Sequence, residues 1–147
     1  MEYIAKATHD GGMRFNIMAG SHELVSDYPL DPEASGDGAR PLELLLASLA
    51  ACAGGTLVAL LKRSQQPLKA MTVTARGDRR TEHPTVFTSI ALDFVIAGDL
   101  APEVVNQALQ VAETRVCPVW AMLKPTTPIT ATFRIEPAPE TAAPSLS

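Results

Sequence analysis

Two cysteines, Cys52 and Cys117, are the residues in this chain best suited to chemistry. A thiolate is a nucleophile, and two thiols within reach of each other can cycle between dithiol and disulfide. Their separation fits no zinc-binding spacing, and in a reducing compartment a static structural disulfide is not expected. Inert core thiols or redox chemistry remain. Cys52 lies near the middle of the longest apolar run, PLELLLASLAACAGGTLVALLKR, where cysteine packs as a small hydrophobe, so an inert thiol and a reactive one are both open readings. Cys117 directly precedes Pro118. That places its sulfur at the start of a predicted helix, where the dipole and unpaired N–H groups favour a thiolate; a simple cap position is the alternative. On this argument Cys117 is the more acidic thiol.

The apolar run must position Cys52. Leu45, Leu49, Cys52, Thr56 and Leu60 recur at three- and four-residue spacing and predict a helix over Pro41–Arg63. Pro41 suits the first turn, Glu43 the positive end of the dipole, and Lys62 and Arg63 the negative end. Apolar residues occur on nearly every face, which predicts a central core helix buried almost all round. The run is long enough to cross a bilayer, but Glu43, Ser48 and Gly54-Gly55 make it a poor membrane segment. Gly54-Gly55 costs roughly 1–2 kcal/mol of helix propensity, a cost explained if another helix or a partner chain approaches the backbone there.

Around this helix the sequence predicts sheets. Residues 1–8 and 13–19 alternate apolar and polar positions across a His9-Asp10-Gly11-Gly12 turn, and Gly20-Ser21 leads into 22–26, a three-strand meander. Residues 27–40, rich in Pro, Gly, Asp and Ser, read as an exposed loop. Beyond the helix, 68–78 and a long strand with Val86, Thr88, Ile90, Leu92, Phe94 and Ile96 on one face read as an antiparallel pair, joined by the polar 79–85. An amphipathic helix from Pro102 to about Thr114, a short helix from Pro118 and a last strand, 129–135, complete an α+β arrangement. Residues 1–136 are expected to form one domain, and the Pro- and Ala-rich 137–147 a disordered tail.

At this point the two cysteine segments resemble a known family. PLELLLASLAAC, ending in Cys52, and the CPV at Cys117 before a closing strand are similar to the osmotically inducible protein C and organic hydroperoxide resistance family, a resemblance that runs from Ala5 to Ile135. It implies an α+β intertwined homodimer in which a long helix is wrapped by antiparallel sheets, with active sites at the subunit interface. It also implies a peroxidase for organic hydroperoxides: Cys52 as the peroxidatic thiol, Cys117 as the resolving thiol, and a dithiol as reductant. In the family the peroxidatic thiolate is set by a nearby Arg and Glu rather than by its place in the helix. The hydroperoxide-resistance branch has glutamate directly after the proline; here Leu42 stands there and Glu43 follows, about 100° further round the helix. Glu43 either reaches the site or caps the helix. Arg14, after Gly11-Gly12, lies in the region that supplies the family's arginine, or is an exposed strand residue.

The bulk numbers fit this reading. At 147 residues, 46% hydrophobic and 19% charged, the chain suits one globular domain with a sizeable core. A net charge of −4 and no basic run longer than Arg79-Arg80 exclude the electrostatic footprint of a nucleic-acid binder. MEYIAKATHD begins with strand-like alternation rather than a secretory pattern, so a cytoplasmic location is expected. His9, His22 and His83 stand singly, and no metal or cofactor site is read from them. Trp120 and Met122 are expected to form an apolar wall beside Cys117.

Overall fold

The alternation in the first 26 residues does produce three strands. In the computed structural model, which describes residues 1–31 and 33–138, β1 (Ala5–His9), β2 (Phe15–Ala19) and β3 (His22–Ser26) form an antiparallel meander. Glycines in the left-handed region, Gly11, Gly12 and Gly20, make its two turns. The register Ala7↔Ile17↔Leu24 gathers Ala5, Ala7, Phe15, Ile17, Ala19 and Leu24 on one face. Every β1 residue is nonetheless exposed, as are Tyr3, Ile4 and Phe15.

The segment between β3 and the long helix is less free than its composition suggests. Ser26, which is buried, donates from Oγ to Ala39 O at 2.9 Å, and Asp27 Oδ2 accepts from the Asp37 N–H at 3.0 Å. Gly38 lies so near β3 that a Cβ would sit 2.2 Å from Val25 O, so only glycine fits this crossing. The Arg40 guanidinium rests 5.2 Å from the centre of the Tyr28 ring.

The long helix, α1, spans Pro41–Arg63 as its spacing predicts. The division of the chain into two compact units, Met1–Leu45 and Leu46–Ser147, falls within its first turns, and most of the helix belongs to the second unit. Within the single chain one side of it is buried. Leu49, Ala53, Leu57 and Leu61 are fully buried and lie on one stripe at four-residue steps, while Ala47, Ser48, Ala51, Gly55 and Ala59 are exposed. Each of the three leucines contributes about 1.5–3 kcal/mol by burial, enough to anchor one side of the helix to the protein. By length and composition α1 would cross a bilayer, yet this stripe belongs to the core.

In the second unit β4 (Leu68–Arg79) and β5 (Phe87–Gly98) pair antiparallel, as expected, and β6 (Ile129–Glu136) adds to the other side of β5. The β5–β6 pairing is parallel, which corrects the expectation of antiparallel sheets alone. The reason is the connection: α2 (Pro102–Val111), a π-helical turn (Ala112–Val116) and α3 (Pro118–Leu123) carry the chain back to the end of the sheet at which β5 began. Phe87, Ile90, Leu92, Phe94 and Ile96 are the buried face of β5; Val86 and Thr88, expected among them, are exposed. Asp78 pairs with Ser89 and Arg79 with Phe87, so Thr88 is left over as a bulge, and the strand's inward alternation restarts at Phe87. The row Val73↔Phe94↔Phe133 shares the buried face with the α1 stripe, Val105, Leu109 and Trp120 supplying the rest of the core. On the opposite face Asp93 pairs with Arg76 and accepts from Thr132 Oγ1 at 2.8 Å, a polar rung across all three strands. The expected tail falls largely on 139–147, outside the described residues.

Candidate functional site

Cys52 sits on α1 three residues after the buried Leu49, at the border of the buried stripe, and is half-buried. Gly54, two residues on, explains part of the glycine pair. A Cβ there would lie 2.9 Å from Val73 Cγ2, so glycine lets the helix settle against β4. A Cβ at Gly55 would meet nothing within 4 Å among the described residues.

Cys117 is placed by a break in regular helix. After α2 the backbone widens into the π-helical turn, and the Cys117 N–H donates to Ala112 O at 2.9 Å, five residues back. Cys117 itself is extended, at φ −71° and ψ 109°, because Pro118 cannot continue the incoming helix and instead starts α3. The residue is 1% exposed. The backbone N–H groups of Trp120 and Val119 favour its charged form.

The two sulfurs lie 3.0 Å apart. Burial pushes the Cys117 thiol up, its hydrogen bond and charge interaction with Cys52 push it further, and the backbone N–H groups of Trp120 and Val119 only partly offset this. In the contact Cys117 Sγ is the donor and Cys52 Sγ the acceptor. The Cys117 thiol is thus raised, against the expectation that the start of α3 makes it acidic. The N–H groups do act on the sulfur, but desolvation outweighs them.

Arg14 and Glu43 belong to the first unit, and each has a partner there. Arg14 Nη1 lies 2.8 Å from Asp37 Oδ2, and its Nε 3.4 Å from Asp10 Oδ2. It is a half-buried tie between the β1–β2 turn and the following loop, rather than an exposed strand residue. Glu43 Oε1 accepts from the Arg40 backbone N–H at 2.9 Å, the glutamate half of a capping box, so of its two readings the cap is the one its carboxylate serves. Of the two residues expected as an apolar wall, Trp120 is fully buried and Met122 is 70% exposed in the chain. The sequence reading missed Asp37 as the partner of Arg14; its place between Gly36 and Gly38, in a segment that folds back on β3, was the available signal. The π-helical turn carries no signal in residue types.

Residues 34–132 match the family described as OsmC-like protein, a segment that holds Glu43 and both cysteines but not Arg14. The chain belongs to the OsmC-like family. Protein YhfA of Escherichia coli K12 is 30% identical over 119 residues, covering 80% of this chain and 85% of YhfA. A hypothetical protein from Aquifex aeolicus VF5 superposes with a TM-score of 0.84 at 23% identity, covering 95% of this chain and 99% of that one. An organic hydroperoxide resistance protein from Legionella pneumophila superposes at 0.72 with 19% identity, covering 90% and 96%. At these identities the two structures establish the OsmC-like fold. Within it, the contact between Cys52 on the long helix and Cys117 ahead of α3 is the feature with chemical consequence.

Proposed function

We propose that this OsmC-like protein is a thiol-dependent peroxidase that reduces organic hydroperoxides through a Cys52/Cys117 disulfide cycle. The observation that carries the reading is the 3.0 Å separation of the two sulfurs, one half-buried and one buried. The Cys52 thiolate attacks the terminal oxygen of the hydroperoxide, the O–O bond breaks, an alkoxide departs, and Cys52 becomes a sulfenic acid. Cys117 then attacks the sulfenic sulfur, the S–O bond breaks, and a disulfide forms before further oxidation. An external dithiol restores the pair by thiol–disulfide exchange. The surroundings of Cys52, an apolar helix, support an alkyl peroxide over hydrogen peroxide, and the Legionella pneumophila relative's description as an organic hydroperoxide resistance protein supports the same class.

The working form we propose is a homodimer. Two surfaces support it independently: the exposed small residues Ala47, Ala51, Gly55 and Ala59 along α1, and the exposed apolar face of the N-terminal sheet, whose three strands would gain stability from a covered face. The family match runs through both compact units, which supports 1–136 as one domain. A dithiol cycle fits the reducing cytoplasm.

A second reading, an OsmC-fold binding or redox-sensing dimer without significant turnover, is favoured by one observation. The residues in the helper regions, Arg14 and Glu43, are both engaged elsewhere, by Asp37 and by the Arg40 N–H. Consumption of an alkyl hydroperoxide with a dithiol reductant separates the two. The peroxidase reading expects turnover that Cys52→Ser abolishes; wild type no faster than Cys52→Ser leaves the binding or sensing dimer.

A further inference from the structure

The alkoxide that departs when an alkyl hydroperoxide is split is a strong base, and a site that accelerates its departure needs a proton donor at the point where it leaves. Within the first unit, Arg14 and Glu43 already have partners. In the second unit Cys117 meets the reacting sulfur at 3.0 Å, and the residue is 1% exposed, so bulk water has little access from its side. We propose that Cys117 has a second role besides closing the disulfide: its S–H protonates the alkoxide released when Cys52 is oxidised. The role rests on the peroxidase reading above.

The geometry orders the events. At rest the Cys117 proton is directed at the Cys52 sulfur, and the lone pair it meets belongs to the nucleophile. When that sulfur forms its new S–O bond, it ceases to be a good acceptor, and the departing oxygen beside it becomes a much better one. The proton passes to the alkoxide, giving the alcohol and leaving a Cys117 thiolate. The N–H groups of Trp120 and Val119, which favour the charged form of Cys117, stabilise the new charge. That thiolate attacks the sulfenic sulfur of Cys52 and expels hydroxide, which takes a proton from solvent. In sum, the Cys52 thiolate, the Cys117 thiol and one hydroperoxide give the disulfide, one alcohol and one hydroxide: the two sulfurs lose two electrons and the O–O bond gains them. The resolving nucleophile is thus generated by the step that creates its target. The resting thiol, held protonated by burial, does not compete with Cys52 for the peroxide.

The test follows the first oxidation of Cys52 in full-length protein without reductant, by loss of one equivalent of hydroperoxide and by trapping the sulfenic acid in Cys117 variants. A series of alkyl hydroperoxides whose departing alcohols differ in acidity serves as substrate. Cys117→Ala should slow the first oxidation by tert-butyl hydroperoxide on the order of 10²-fold, the lower end of what a positioned acid supplies. The loss should shrink as the departing alcohol becomes more acidic, a dependence that a purely structural role would not produce. Cys117→Ser, whose hydroxyl is a far weaker acid than the thiol and cannot close the disulfide, should fall between wild type and Cys117→Ala. In wild type, the first oxidation should also slow in heavy water, a reading that holds even if the alanine variant folds poorly. Cys117→Ala as fast as wild type across the series, or a wild-type rate unchanged in heavy water, overturns the donor role alone. A wild type no faster than Cys52→Ser overturns the peroxidase reading and the donor role with it.

Discussion

Arg14 Nη1 lies 2.8 Å from Asp37 Oδ2, a contact between residues on opposite sides of the N-terminal sheet's last two strands in sequence. It neutralises a cation from the region that, by family resemblance, supplies a helper for the peroxidatic thiolate.

Asp37→Asn leaves the Arg14 guanidinium with Asp10 alone. On the peroxidase reading this should raise the rate at which Cys52 is oxidised, while costing no more than about 1 kcal/mol in stability, since both side chains are partly solvated. Stopped-flow oxidation of Asp37→Asn and Arg14→Ala checks it. A rate that neither substitution moves would make the pair a tie for the loop and nothing more.

Stability should fall in alkaline solution through Cys117. Its thiol is raised in the folded protein, so the folded state holds the proton more tightly than the unfolded chain. The stabilisation is fully present below the unfolded thiol value of about 8.5 and is lost as pH rises through the folded value. Urea unfolding of reduced protein from pH 7 into the alkaline range should show this decline, and Cys117→Ser should flatten it. An equally steep decline in the variant would assign the effect to other groups.

Glu43 should matter for the helix rather than for the peroxide. Glu43→Ala removes the acceptor for the Arg40 N–H and a favourable charge in the first turn, and should cost about 0.3–1 kcal/mol. Glu43→Gln keeps the acceptor and should lose less. Thermal melts give the order, and a peroxide rate near wild type in both variants completes the case; a large drop in rate would place Glu43 in the chemistry after all.

The glycine pair should divide into two roles. Gly54→Ala gains about 1 kcal/mol of helix propensity but drives a Cβ against Val73, a β-branched side chain with little freedom to turn away, and overpacking of about 1–3 kcal/mol should win. Gly55→Leu meets open space among the described residues and should leave the protomer folded while disrupting the proposed dimer. Sedimentation at micromolar concentration reads the difference. A Gly55→Leu protein that still sediments at twice 15.6 kDa would remove α1's small-residue stripe from the interface.

Local patterns determined most of the elements. Four-residue apolar spacing marked α1 from Pro41 to Arg63, period-two alternation marked the meander and the β4–β5 pair, and Pro118 marked the start of α3. These follow from neighbours along the chain, which residue order records directly. What only the tertiary structure decided depends on contacts between distant segments. Residue types could not tell which faces of an all-apolar helix a single sheet would cover, nor that the bulge at Thr88 would bring Phe87 inward in place of Val86. The parallel pairing of β6 was decided by where three short helical segments deliver the chain. The raised Cys117 thiol was decided in the same way. The sequence places Cys117 at a helix start, where backbone N–H groups favour a thiolate, but the depth of its burial against α1 depends on residues far along the chain, and in the fold that desolvation outweighs the N–H groups.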